Sequence, residues 1–585
     1  MNNKERENHI AEYLLPALIA GALFMVILAL NALWPFGRET IDYYDMAQWS
    51  DLFYYHNYDE LRGIKSFVYD WYLNLGREIP GLSEPSLFDL LMYFVPRSLF
   101  LECSSLLMTF KIMAAAFFMG IFVRYINKDM PYAFRLILSA GYGLCGFVMT
   151  NYTVPQWIDM AALVPLVLMF SQKALRTGKF IGLSVTVFLI MIDDYYFGIQ
   201  MLMFIFLTGG AYCIYLLGTG RKRELTEELF FGRLLIGIAA GLGLSAFSWI
   251  PDIAFNMTSA RFGNGTNDGG IMGNYIALLQ NITPAYLSRW FALLCLSFPA
   301  SYVAIGLFYG IRKKEWGSVL LRILLVFMIC AQLVLESVHL LLHFGSYVDY
   351  PVRNGFMIWC IMAGIAAHPY GVSNKTREEE KTDTGSRIVR IALGVVITAI
   401  ITTVFRTWYM NNAGISDHTV FLLAMSIMSV FAVVHIILIS VRNGRYGTFC
   451  PYLWMAEVLI FGIIMIGKPL YDTPYGHDPE QEGEFIRISD QLVEKFGDDL
   501  ATGSDAATRR IKNPDASLNA NYGLVMQRET LSGWTNLATA DQIGGATNLG
   551  YSSQFTRLLD TGGNIFTDTI MHVTDLVSFE ELDER

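Results

Sequence analysis

The stretch Tyr13–Trp34, YLLPALIAGALFMVILALNALW, runs directly into Pro35–Asp45, PFGRETIDYYD. The first piece carries no Asp, Glu, Lys or Arg. As a helix it is long enough to cross a hydrocarbon core of ~30 Å, which takes about 20 residues. It is too long for the apolar region of a signal peptide and lacks a small-residue cleavage site, so it reads as an uncleaved first span behind Lys4 and Arg6. The second piece turns acidic and aromatic. A basic flank, an apolar run and an acidic, aromatic flank set the pattern for the rest of the chain.

The chain has 585 residues, 54% of them apolar or aromatic and only 16% charged, with a mean hydropathy of +0.40. One soluble core cannot hide that much apolar surface, so the composition predicts a polytopic membrane protein. The net charge of -10 matters less than its distribution. Neither composition nor motif calls for a nucleic-acid partner. The seven cysteines are scattered through apolar runs and suggest neither a disulfide framework nor a metal cluster. No P-loop, dinucleotide fingerprint or Gly-x-Ser-x-Gly is present, which argues against a nucleotide-driven pump.

Hydropathy and punctuation give about thirteen candidate spans. They cover 13–34, 100–124, 133–150, 157–173, 180–194, 196–218, 231–252, 290–311, 317–338, 352–369, 388–406, 418–440 and 450–467. With the N-terminus inside, alternate connections carry Arg124, Lys128 and Arg135; Lys173, Arg176 and Lys179; Arg221, Lys222 and Arg223; Arg312, Lys313 and Lys314; Lys375 to Arg390; and Arg442 and Arg445. Six successive inside loops then obey the positive-inside rule. The expected architecture is a mainly α, polytopic helical bundle over 1–468. It has a long first outer loop, 35–99, and an extracytoplasmic α/β or β-containing module over 469–585.

The outer connections differ in kind. Asp42, Asp45, Gln48 and Trp49 stand in the first loop, and Gln156, Trp157 and Asp159 open the fourth span. Asp193, Asp194, Tyr195 and Tyr196 form a tight turn, Arg261 follows the seventh span, and Arg353 opens the tenth. Asp45 lies close to the bilayer surface, where a carboxylate can act as general base on an acceptor hydroxyl. An interfacial aromatic belt with solvated acids is the competing reading. Arg353 at a helix start is placed to grip a phosphate through bidentate hydrogen bonds and the helix dipole, or simply to snorkel. Lys111, near the middle of the second span, needs a partner, either structural or a ligand phosphate. Asp193 and Asp194 together are a weak signal for a divalent cation such as Mg or Mn, and hydrogen-bonded turn residues are the favoured reading. His339 and His343 lack the acid that completes a zinc motif.

Several of these stretches, taken in order, resemble the YfhO-type bacterial membrane protein family, related to membrane-embedded glycosyltransferases of the GT-C class. They are Pro35-Phe36-Gly37 with Asp45 and Gln48, Trp71 with Leu75 and Gly76, Lys111, and Trp157-Ile158-Asp159 with Pro165. Tyr195-Tyr196, Leu244 to Pro251 with Ser259 and Arg261, Tyr350-Pro351 with Arg353 and Phe356, and Gly562-Gly563 with Phe566 and Asp568 continue the series. The chain departs from the family at Trp49, where a Tyr usually follows a Gln placed one residue further on. Members also usually continue past the Gly-Gly segment to a last span, whereas this chain stops at Arg585.

The resemblance implies a GT-C-type bundle in the bacterial cytoplasmic membrane. It also implies transfer of a sugar from a polyprenyl-phosphate donor to a cell-envelope glycopolymer, for example teichoic or lipoteichoic acid, on the outer face. Asp45 is then the catalytic base and Arg353 the donor-phosphate ligand. Asp42, Gln48, Trp49, Asp159, Asp193, Asp194, Tyr195, Tyr196 and Arg261 line the substrate site. Two rival functions are a transporter or flippase of a lipid-linked saccharide, motivated by Lys111, and a non-catalytic envelope assembly factor.

Overall fold

The computed structural model describes residues 3–42, 45–46, 69–70, 72, 77–78, 86–258, 295–331, 336–342, 353–368, 418–440, 446–466, 487–489, 491–492, 494–495, 509–516, 518, 520–526, 528–534, 538–554 and 557–578. The apolar runs fold as helices: α1 (Asn3–Leu30), α2 (Phe100–Ile126), α3 (Tyr132–Gly143), α4 (Gly146–Thr150), α5 (Pro155–Thr177), α6 (Ile181–Asp193), α7 (Tyr195–Gly218), α8 (Phe231–Leu244) and α9 (Ala246–Asn256). After residue 294 come α10 (Ser297–Arg312), α11 (Trp316–Cys330), α12 (Glu336–Leu342), α13 (Gly355–Ala367), α14 (His418–Ser440) and α15 (Cys450–Ile466).

Every candidate span falls on one or two of these helices except 388–406, which lies outside the described residues. Among the described residues, six helical stretches are individually long and apolar enough to cross a bilayer, or seven if the bent pair α8 and α9 is one span. That pair turns by 73°. The turn is at Ser245, between α8 and α9, whose N–H and hydroxyl both donate to the Gly241 carbonyl, at 3.1 and 2.9 Å.

Local chemistry sets the helix ends. Pro155 occupies the first turn of α5, where its missing N–H costs nothing. The Asp194 side chain accepts from the Phe197 N–H at 3.1 Å and so caps α7. The core lies between α1, α2, α3, α5, α13 and α15, with Trp359 and Trp454 fully buried in it. At Gly143, which ends α3, a Cβ would sit 2.6 Å from the Ile112 carbonyl oxygen, so two backbones meet there without a side chain between them.

The polar C-terminal stretch contains β3 (Arg510–Lys512), β4 (Gly533–Trp534), β5 (Tyr551–Gln554), β6 (Arg557–Gly562) and β7 (Val573–Leu576). In the first loop, β1 (Tyr69–Asp70) pairs antiparallel with β2 (Arg77–Glu78). β3 runs parallel to β7, and β4, β6 and β5 form an antiparallel sheet in that order. Gly562 and Gly563, at φ of +89° and +67°, turn the chain out of β6 in a conformation that favours glycine. The stretch packs onto the bundle. Met92, Phe100 and Leu107 share one apolar cluster with Ile511, Tyr522, Leu524 and Val577, and the Thr530 hydroxyl donates to the Tyr72 carbonyl at 3.0 Å. The bundle therefore has two unlike ends: a loop end, on which residues 86–99 and the described residues of 510–577 sit, and an opposite end rich in arginine.

Candidate functional site

A lysine in an apolar helix must find counter-charge, and Lys111 on α2 finds it within the protein. Its Nζ pairs with Asp89, lies 2.7 Å from Asp159 Oδ1, and donates to the Pro155 carbonyl at 2.9 Å. Lys111, Asp89 and Asp159 are all fully buried. The acids have a second task. Asp159 Oδ2 accepts the Phe88 N–H at 2.7 Å, Asp193 Oδ1 accepts the Leu87 N–H at 2.6 Å, and the Ser86 hydroxyl donates to Asp89 at 2.5 Å. Carboxylates from α5 and α6 thus hold Ser86–Asp89, ten residues before the end of the first loop, against the helix carrying the lysine. Removing one partner of such a buried pair costs about 3–5 kcal/mol, because the other charge is stranded.

Beside this cluster lies an aromatic cluster around an arginine. The guanidinium of Arg353 stands 5.1 Å from the centre of the Trp157 ring and 5.8 Å from that of Tyr196, near enough to Asp194 for their charges to interact. Phe197 packs edge-on to Trp157 and to Phe356, which fixes α5, α7 and α13 around the arginine. Next to it, the buried Asn354 donates to Gln200 Oε1 at 3.2 Å. The Tyr195 hydroxyl accepts from Asn256 on α9, so the bent helix pair is tied to the same end. A cation between ring faces, two residues before the first turn of an apolar helix, is suited to an anionic oxygen.

The acids of the first loop divide. Asp42 is buried and accepts from the Ser104 hydroxyl at 3.1 Å. Asp45 is half-buried, one residue before the buried Met46. Asp42 thus seats the loop on α2, and Asp45 retains access to solvent. Gln48, Trp49, Arg261, His343 and Tyr350-Pro351 lie outside the described residues, as does the side chain of His339.

The candidates therefore fall into two groups at the loop end, Lys111–Asp159–Asp193 and Asp194–Tyr196–Arg353, with Tyr195 linked to α9. Sequence reasoning missed Asp89, Ser86, Asn354, Gln200 and Asn256. Asp89 had a readable signal: it is the only charge in Leu87–Phe94, as Lys111 is in Cys103–Val123. Asp193 and Asp194 each turn one oxygen to a different backbone N–H, that of Leu87 and that of Phe197. Among the described residues no three His, Cys, Asp or Glu side chains group as metal ligands.

In the 510–577 stretch, burial pushes the Asp560 carboxyl up to about 6, against hydrogen bonds from the Tyr522 hydroxyl at 2.6 Å and the Asn513 N–H at 3.1 Å. Asp568, part of the Gly562-Gly563 motif, accepts from Lys512 Nζ at 2.9 Å and from the Tyr551 hydroxyl at 2.7 Å. The motif therefore closes a local network in the sheet region.

The family model for the bacterial membrane protein YfhO matches residues 16–584. No curated protein matches the chain. Among solved structures, a crystal structure of ArnT from Cupriavidus metallidurans bound to undecaprenyl phosphate is 13% identical, with 91% of this chain and 87% of that one covered at a TM-score of 0.41. The chain belongs to the YfhO family of bacterial membrane proteins.

Proposed function

We propose that this YfhO-family protein is a GT-C-type membrane glycosyltransferase. It takes a sugar from a polyprenyl-phosphate donor on the outer face of the cytoplasmic membrane and gives it to a cell-envelope glycopolymer such as teichoic acid. The observation that carries the reading is Arg353, held between Trp157 and Tyr196 at the same end of the bundle as Asp45. Arg353 meets the donor phosphate, and Asp45 takes the proton of the acceptor hydroxyl as that oxygen bonds to the anomeric carbon. The bond from that carbon to the phosphate oxygen breaks on the opposite side, and polyprenyl phosphate leaves with the electron pair. Configuration is inverted.

The transporter reading rested on the roughly thirteen spans and on Lys111 as part of a substrate path. Its fully buried pairing with Asp89 and Asp159 gives it a structural occupation instead.

The test is mass analysis of envelope glycopolymers from cells with the wild-type chain, without it, and with Asp45→Asn. The expected result is a sugar mass present only with the wild type, with the variant reduced by about 10²–10⁴-fold, the usual contribution of a positioned base. Unchanged glycosylation by Asp45→Asn at normal protein level refutes the assignment.

A further inference from the structure

The first connection, 35–99, reads as a loop outside the membrane, yet its stretch 88–94 carries an apolar face that the transfer reaction does not use. Asp89–Phe94 forms a 3₁₀ helix. With three residues per turn, positions three apart share a side. Asp89 and Met92 are buried on one side, whereas Leu91 and Phe94 are 43% and 87% exposed on another, with Leu90 beside them at 45%. The one charge of 88–96 thus faces inward and large apolar side chains face out, the reverse of a solvated loop. The exposed Leu106 and Phe110, four apart on one side of α2, extend the face. The Phe88 ring, edge-on to Phe110 at 5.6 Å, joins the two elements.

Height along α2 fixes where this face sits. Arg124 lies in the last turn of α2 and Lys128 just beyond it, the basic flank that marks one membrane surface. Phe110 stands sixteen residues before Ile126, about 24 Å at 1.5 Å per residue, and tilt only shortens that height. It therefore lies within a hydrocarbon layer of ~30 Å, and the Phe88 ring stays within it too. Backbone at that depth has no water to bond, and the amides here are provided for. Asp193 and Asp159 accept the Leu87 and Phe88 N–H groups, and the Ser86, Phe88 and Met92 carbonyls accept those of Asp89, Leu91 and Val95.

We infer that Leu90, Leu91 and Phe94 are seated among the phospholipid acyl chains of the leaflet at the loop end, so that this part of the first connection is embedded in the membrane rather than bathed in water. A contiguous exposed apolar face marks a surface that meets a protein or a membrane. Here the face continues the lipid side of a spanning helix, which selects the membrane. A short helix with apolar side chains on its outward side belongs at the boundary of headgroups and acyl chains. The carboxylates that tie Ser86–Asp89 to the Lys111 cluster then also hold the segment at its depth. The inference uses neither Asp45 nor Arg353, so it stands or falls apart from the transferase reading.

The experiment uses the full chain in vesicles of phosphatidylethanolamine and phosphatidylglycerol, with Leu90, Phe94, Phe110 or Thr574 replaced, one at a time, by photoreactive p-benzoylphenylalanine. The intact mass is read after illumination. All four positions are exposed, so the replacement displaces no tightly packed neighbour. At Leu90 and Phe94 the mass should shift by one phospholipid, as at Phe110 in the span, while Thr574 in the sheet region stays unshifted. Alkaline hydrolysis of the lipid esters should then leave a fatty acid on the protein. A glycerophosphate left in its place assigns the contact to headgroups and overturns the inference. So does an unshifted mass at Leu90 and Phe94 beside a shifted one at Phe110. A cross-linked dimer, or a cross-link to another part of the chain, assigns the face to protein and overturns it as well.

Discussion

Replacing Lys111 by Met removes the one cation that Asp89 and Asp159 share, with little change in side-chain volume. The two carboxylates remain buried on α5 and the loop segment, with Asp193 close enough to Asp159 for their charges to interact. Stranding a buried charge costs about 3–5 kcal/mol. The cheapest relief is to pull Ser86–Asp89 away from the helices, which breaks the bonds from the Leu87 and Phe88 amides to Asp193 and Asp159.

Those two amides are therefore the place to look. At 1.4 kcal/mol per tenfold, their hydrogen exchange in Lys111→Met should quicken by roughly 100- to 3,000-fold. The Arg510 amide, bonded to the His572 carbonyl at 2.9 Å, serves as a control in a separate sheet. A compensated variant, Lys111→Met with Asp89→Asn and Asp159→Asn, removes the charge together with its partners and should recover most of the protection, since amide oxygens still accept the Phe88 N–H. Unchanged exchange at Leu87 and Phe88 in a folded Lys111→Met protein refutes the claim that this cluster holds the loop.

Three further outcomes follow from the geometry. Arg353→Gln should raise KM for a lipid-linked donor by about 10- to 100-fold, the 1.5–3 kcal/mol of a charged hydrogen bond, as seen in steady-state transfer kinetics with membranes; an unchanged KM removes Arg353 from the donor site. Gly143→Ala sets a methyl group against the Ile112 carbonyl and should cost about 1–3 kcal/mol by overpacking, visible as a lower midpoint in thermal unfolding of the detergent-solubilised protein. Asp560 holds its proton more tightly in the folded chain, at about 6 against 3.8. Its contribution therefore favours folding below pH 4 and falls by on the order of 2–3 kcal/mol as pH rises from about 4 to 6. Limited proteolysis of the 510–577 stretch across that range should lose this slope in Asp560→Asn.

The helices were legible because a bilayer admits few solutions: apolar runs of the right length must be helical, and charge or proline ends them. The bend at Ser245 was not, since 231–252 reads as one continuous apolar run and nothing in its hydropathy marks where the helix turns. Lys111 could be marked as needing a partner from its position alone. Its partner could not be named, because Asp89 belongs to a loop that hydropathy leaves unassigned and meets α2 only through the tertiary fold. The same reason explains Asp159 and Asp193. Sequence places them at one membrane level, but whether a carboxylate faces a substrate or a backbone N–H depends on where residues 86–89 settle. Trp157, Tyr196 and Arg353 come from separate helices, so each was readable as an interfacial residue and only packing makes them a cluster.

The order of residues in the Lys111 cluster bears on how the chain is built at the ribosome. Asp89 leaves the exit tunnel before Lys111, whereas Asp159 and Asp193 follow on later helices. A lysine at the centre of an entering helix costs about 2.5–3.5 kcal/mol. Here the first available counter-ion already lies upstream, so α2 can enter the translocon as a neutralised pair rather than as a bare cation. The later acids then arrive at a position that is already marked, and their arrival fastens the preceding loop. A stall placed after α2 but before α5 should therefore leave α2 inserted, with residues 86–89 accessible to protease until the next helices are made.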